Sequence, residues 1–95
     1  MAPAVRRYRV EGEVQGVGFR WYVREHARAL ALAGWVRNEP DGAVVLVACG
    51  DAVALDSLER QLRVGPRQST VTDVVRRELT SFEAKGLPDP FAIER

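Results

Sequence analysis

An α+β sandwich built in the order β-α-β-β-α-β is what this sequence predicts. Three observations carry the expectation. Residues 5–14 alternate apolar or small with charged side chains, as a half-buried strand does. Two later stretches, 21–32 and the one running from Asp51 towards Gly65, repeat apolar residues at helical intervals. Turn residues fall between the elements, at Gly16 and Gly18, at Pro40-Asp41-Gly42 and at Gly65-Pro66.

Taken in order, the first strand spans Val5–Val14, with Tyr8, Val10, Gly12 and Val14 on one side and Arg7, Arg9, Glu11 and Glu13 on the other. Gln15-Gly16-Val17-Gly18 breaks the alternation and reads as a loop. Trp21–Leu32 follows as a helix with an apolar stripe of Val23, Ala27 and Leu30; Phe19 sits just before it, and Gly34 suits its C-cap. Trp35-Val36-Arg37 is a short strand. In Pro40-Asp41-Gly42 proline presets φ and glycine accepts positive φ, a tight turn. Ala43–Ala48, an apolar run of strand length, completes a hairpin. Asp51 suits the N-cap of a second helix that turns Leu55, Leu58 and Leu62 inward and Glu59, Arg60 and Arg63 outward. Ser69–Leu79, with Val71, Val74 and Val75, predicts a fourth strand without defining its register. Thr80–Pro90 reads as loop, and Phe91-Ala92-Ile93 is a candidate for a short fifth, C-terminal strand. The order is that of a ferredoxin-like βαββαβ sandwich, an antiparallel sheet with two helices on one face.

Composition sets limits on function. The 95 residues suit one domain, 1–95, with no repeat, low-complexity tract or linker. Hydrophobic residues make up 46% and charged residues 28%, which argues against general disorder. A net charge of +1 encodes no general attraction to polyanions, so no nucleic-acid partner is expected. Cys49 is the sole cysteine and supports neither an internal disulfide nor a cysteine-rich metal site, which favours a reducing compartment. Met1–Arg7 lacks the apolar stretch of a signal peptide, and no run reaches membrane-spanning length. A cytoplasmic protein with no membrane partner is expected.

The topology gathers the residues that carry chemistry. If the first strand runs up to the glycine loop, the helix comes down and the second strand runs up again to Asn38. Loop, helix N-terminus and Asn38 then share one end of the sheet. Gly16 and Gly18 let backbone N–H groups converge there, forming an anion cradle that the helix dipole assists. Arg20 follows at once, with planar donors matched to phosphate oxygens. A cation is unfavourable at a helix N-terminus unless an anion visits. Asn38 offers both a donor and an acceptor, which suits orienting a water. The plainer alternatives are glycines that only shape a turn, a solvated Arg20, and an Asn38 that only opens the hairpin.

The string Val10-Glu11-Gly12-Glu13-Val14-Gln15-Gly16-Val17-Gly18-Phe19-Arg20 strongly resembles the signature of the acylphosphatase family. Gly34-Trp35-Val36-Arg37-Asn38-Glu39-Pro40-Asp41-Gly42-Ala43-Val44 is similar to that family's second motif. Chain length, element order and the Phe-x-Ile ending agree, and the likeness is weakest from Ser69 to Pro90. The resemblance implies hydrolysis of carboxyl-phosphate mixed anhydrides to carboxylate and phosphate. It implies that Gln15, Gly16, Val17, Gly18, Phe19 and Arg20 bind the phosphoryl group, that Arg20 is the essential cation, and that Asn38 holds the attacking water. No metal, no cofactor and no covalent intermediate are implied. A monomer acting on a small acyl phosphate is expected. So spare a site suits the reaction: the leaving carboxylate is already a stable anion, and phosphoryl transfer asks mainly for positioning and charge stabilisation.

Some positions depart from the family pattern or stand outside it. Val45 and Cys49 occupy the far side of the third strand, where polar residues are commoner, and are read as scattered exposed apolar residues. Glu13, beside the loop, weakens its positive potential. His26 lies more than a turn into the first helix and reads as a surface or packing residue, and Cys49 as inert. One of Trp21 and Tyr22 is expected at the pocket mouth and the other in the core. An RNA-recognition domain of the same order would need aromatic and basic residues on its third strand, and Ala43–Ala48 has neither. A metal carrier would want Cys-x-x-Cys in the first loop, and Gln15–Arg20 has no cysteine. A catalytically quiet acylphosphatase-like domain is the remaining alternative, ranked lower because Arg20 and Asn38 are both present.

Overall fold

The computed structural model describes residues 3–95, so the leader reading at Met1 and Ala2 lies outside it. The chain forms β1 (Ala4–Glu13), α1 (Phe19–Ala29), β2 (Ala33–Asn38), β3 (Val44–Gly50), α2 (Ala52–Val64), β4 (Thr70–Leu79) and β5 (Ala92–Ile93). The strands lie side by side as β4-β1-β3-β2-β5. Four pair antiparallel, and β5 pairs parallel to β2, so the sheet is mixed where a purely antiparallel one was expected. The reason is the crossing at residues 80–91. The chain leaves β4 at one edge of the sheet and returns at the other edge, running the same way as β2. Gly34 N donates to Pro88 O at 2.8 Å and Glu94 N to Val36 O at 2.8 Å, which fixes the returning segment.

Both helices cover one face. Tyr8, Val10, Val36, Val44, Leu46 and Ala48 meet Phe19, Val23 and Ala27 of α1 and Leu55, Leu58 and Leu62 of α2, all fully or almost fully buried. Each leucine so buried is worth roughly 1.5–3 kcal/mol relative to exposure. Asp51 Oδ1 accepts from Val53 N and caps α2, and Gly65 ends it, as expected.

Three expectations change. First, α1 begins at Phe19 and stops at Ala29. Its exit is made by Ala31 at φ 58, with Ala31 N bonded to Arg28 O and Leu32 N to Ala27 O, a left-handed cap needing no glycine. Gly34 instead lies inside β2, where an added Cβ would come within 1.9 Å of Val47 O. It permits close approach of β2 and β3. Leu30 of the expected stripe is half-buried, and Leu32 takes the fully buried place. Second, the register of β4 contains a bulge: Glu11 pairs with Asp73 and Gly12 with Val71, leaving Thr72 without a partner. Val71 and Val74 therefore share the core face despite their odd spacing, and Val75 points outward, 48% exposed. Third, Val45 is fully buried although no helix covers its face. In register it lies between Arg9 and Arg37, whose long stems flank it, and the Arg37 guanidinium stacks 4.6 Å from the Trp35 ring centre.

Ion pairs fasten α2 to the sheet. Arg6 is 8% exposed and bonds Asp56 Oδ1 at 2.7 Å. Its Nε lies 3.0 Å from Glu78 Oε1 without hydrogen-bond alignment, so that contact is Coulombic. A buried guanidinium demands such partners. Tyr8 Oη donates to Leu55 O at 3.3 Å. The hydrogen bond from Arg6 holds the Asp56 carboxyl below the usual range. The Ala43 N–H, and then Arg9, does the same for Asp41.

These shifts have a sign. A carboxylate whose folded value lies below its unfolded one stabilises the fold fully above the unfolded value and loses that contribution as pH falls through the folded one. Stability is thus expected to hold from neutrality to about pH 5 and to decline below about pH 4. Urea midpoints measured from pH 7 downward test this, and Asp56→Asn should show a shallower acid decline. A wild-type midpoint that rises on acidification would contradict it.

Candidate active site

β1 delivers the chain into the loop at buried Val14. Gly16 (φ 77) and Gly18 (φ 78) both take left-handed backbone, and an added Cβ at either would meet nothing. Glycine is required there for conformation, not for space. Gly18 caps α1 with no side-chain hydrogen bond, and the first turn holds no acidic residue. No side chain caps the N–H groups of that turn. Because the helix starts two residues earlier than expected, Arg20 stands inside the first turn, half-buried and without an ion pair among the described residues.

The other side chains of the loop are spent on structure. Phe19 is buried in the core and Val17 packs against it. Gln15 Nε2 donates to Glu39 O at 2.7 Å and to Ala43 O at 2.9 Å. The glutamine therefore ties the glycine loop to the β2–β3 hairpin, whose first strand ends at Asn38. Its sequence context did not reveal this link. Gln15→Leu keeps the bulk and removes both donations. It should lower kcat/KM by roughly ten- to hundredfold, as loss of sub-ångström placement does. Inorganic phosphate should still bind near the wild-type affinity, since the side chain faces the hairpin; strongly weakened binding would show it to be a ligand.

Asn38 ends β2 opposite Val44, and its side-chain amide makes no hydrogen bond among the described residues. Gly16, Gly18, Arg20 and Asn38 line one open pocket of about 170 Å³ floored by Val14 and Phe19. That is below the roughly 300–1,000 Å³ of sites that enclose drug-sized ligands. A phosphoryl group fits while the rest of a substrate stays at the mouth. The rim is Trp21, 58% exposed, with Ile93 and Arg95 from the C-terminal segment. Tyr22 is the structural member of its pair: its hydroxyl donates to Gln61 O at 2.9 Å, joining the helices.

Among the described residues no Asp or Glu side chain lines this pocket. Glu13 stands at the exposed end of β1, outside the lining. His26 packs its ring 4.4 Å from that of Tyr22, also outside it. Cys49 sits on the far face of the sheet at the opposite end, and burial pushes its thiol up. Ile93 and Arg95 escaped sequence reading because only the parallel pairing of β5 brings them here.

Fold and pocket together define a class, a ferredoxin-like α+β domain with an anion-sized pocket at one end of its sheet. A family model described as acylphosphatase matches residues 6–93. An acylphosphatase of Nitratidesulfovibrio vulgaris strain Hildenborough is 52% identical over 88 residues, covering 93% of this chain and 87% of that one. The crystal structure of acylphosphatase from Bacillus subtilis superposes with a TM-score of 0.89 at 39% identity, over 97% of this chain and 99% of that one. An acylphosphatase structure from Coxiella burnetii gives 0.85 at 36% identity, over 98% and 94% of the two chains. The chain belongs to the acylphosphatase family, hydrolases that act on the acyl phosphate bond. Among the described residues no helix is long and apolar enough to cross a membrane.

Proposed function

We propose that this pocket performs the hydrolysis, with the Gln15–Arg20 loop holding the phosphoryl group and Asn38 orienting the water. The supporting observation is the convergence of a helix N-terminus without a side-chain cap, Arg20 and a free Asn38 amide on one pocket that no Asp or Glu side chain lines among the described residues. Water oxygen attacks phosphorus, and the bond from phosphorus to the acyl oxygen breaks. Its electron pair leaves with the carboxylate. A dianionic acyl phosphate and water become a carboxylate and a monoanionic phosphate, and the water's protons stay on the phosphate. The loose transition state needs neither a strong base nor a general acid, because the leaving group is a stable anion. The N–H groups and the guanidinium stabilise the charge on the equatorial oxygens.

On this reading the protein is a metal-free, cofactor-free monomer of the cytoplasm that binds a small acyl phosphate and no nucleic acid. No group of three or more His, Cys, Asp or Glu side chains is placed to hold a metal ion among the described residues. Phosphate release from an aryl acyl phosphate, with a phosphate monoester as control, tests the function. Activity should survive exhaustive chelation and change little from about pH 5.5 to 7.5, since the proposed mechanism uses no general acid or base. Loss to EDTA reversed by a divalent cation, or a steep pH bell removed by His26→Ala, would overturn the assignment. Phosphate binding without turnover would leave an anion-binding domain.

A further inference from the structure

We propose that Arg95 is the second cation of the anion pocket and helps hold the phosphoryl dianion; this rests on the reading of Gln15–Arg20 as the phosphoryl site. β5 runs parallel to β2 with Trp35 beside Ala92 and Val36 beside Ile93. The bond from Glu94 N to Val36 O, 2.8 Å, carries the pairing one residue further. Arg95 follows that bond directly, and it lines one pocket with Asn38. Ile93, two residues before it, packs against the core and lines the pocket as well. Arg20 lines that same pocket.

Charge accounts for the pairing. Among the described residues the two arginines are the only ones with charged side chains lining the pocket, and neither is in an ion pair. An acyl phosphate brings two negative charges, and Arg20 with the N–H cradle answers them with one full charge and part of another. A second guanidinium at the mouth completes the neutralisation. Arg95 is exposed, whereas Arg20 is half-buried. Its attraction is therefore solvent-screened and acts as a point charge rather than as a fitted fork.

The two roles separate experimentally. Arg95→Gln should weaken inorganic phosphate, measured by calorimetry and by competition with an aryl acyl phosphate, about three- to tenfold at low ionic strength. The loss should appear in KM rather than kcat. The gap from wild type should close between about 0.01 M and 1 M sodium chloride, as the Debye length shrinks from about 30 to 3 Å. Arg95→Lys should restore most of the affinity, because a screened charge needs no planar geometry. Unchanged phosphate affinity in Arg95→Gln, with affinity lost in Arg20→Ala, overturns the assignment of Arg95 and leaves the site reading standing. A loss that ignores salt and is not restored by lysine also overturns it. Full phosphate affinity in Arg20→Ala would instead remove the phosphoryl site itself, and the proposal with it.

Discussion

Replacing Arg20 with alanine is expected to lower kcat/KM about a thousandfold or more, the scale on which an arginine stabilises phosphoryl transfer elsewhere. The loss should divide between KM and kcat. In the proposed mechanism this guanidinium meets the phosphoryl oxygens in the ground state and the redistributed charge in the transition state. Lysine preserves the charge but not the two parallel donors, so Arg20→Lys should recover little. The contrast with Arg95, where lysine should suffice, is a contrast between a fitted fork and a screened charge. Stability should move the other way. Arg20 stands in the first turn of α1 without an ion pair among the described residues, where the helix dipole disfavours a cation. In phosphate-free buffer Arg20→Ala should therefore gain about 0.3–1 kcal/mol, read as a higher melting temperature. Added phosphate should raise the melting temperature of wild type and not that of the variant. A variant that binds phosphate normally and keeps its kcat would place the chemistry elsewhere.

Asn38→Ala should produce a different pattern. The proposed role of Asn38 is confined to the water, which matters for attack and little for docking. kcat and kcat/KM should fall together, by on the order of a hundredfold, as when one positioned donor is removed from an oxyanion site. Phosphate should compete as well as before. The fold should tolerate the change, because the side-chain amide makes no hydrogen bond among the described residues and the ladder to Val44 is backbone. The melting temperature must be measured beside the rate, since Asn38 ends the strand that enters the hairpin. A folded Asn38→Ala protein with normal kcat at saturation and no phosphate binding would make Asn38 a phosphate ligand and refute its assignment to water.

Much of this molecule was legible without coordinates, for a physical reason. Strand alternation in β1, the leucine spacing of α2 and its Asp51 cap are local patterns, written by the period of the element that contains them. The gathering of the Gln15–Arg20 loop and Asn38 at one sheet end also followed from sequence, because up-down-up connectivity leaves few placements. Local pattern misjudged features that belong to pairs of elements. Gly34 resembles a helix C-cap in sequence, yet it is demanded by the carbonyl of Val47 on the next strand. Val71, Val74 and Val75 fit no strand period until the bulge opposite Glu11 and Gly12 absorbs Thr72. Val45 looked exposed because only register shows that Arg9 and Arg37 flank it. At the site, sequence alone singled out the glycine loop, Arg20 and Asn38, and these line one pocket. Tertiary structure decided that the Gln15 side chain spans to the hairpin carbonyls and that Arg95 lines the same pocket as Asn38. The first depends on a hydrogen bond across 24 residues of chain, and the second on a parallel strand arriving from the opposite edge of the sheet; neither leaves a periodic trace in the residues themselves.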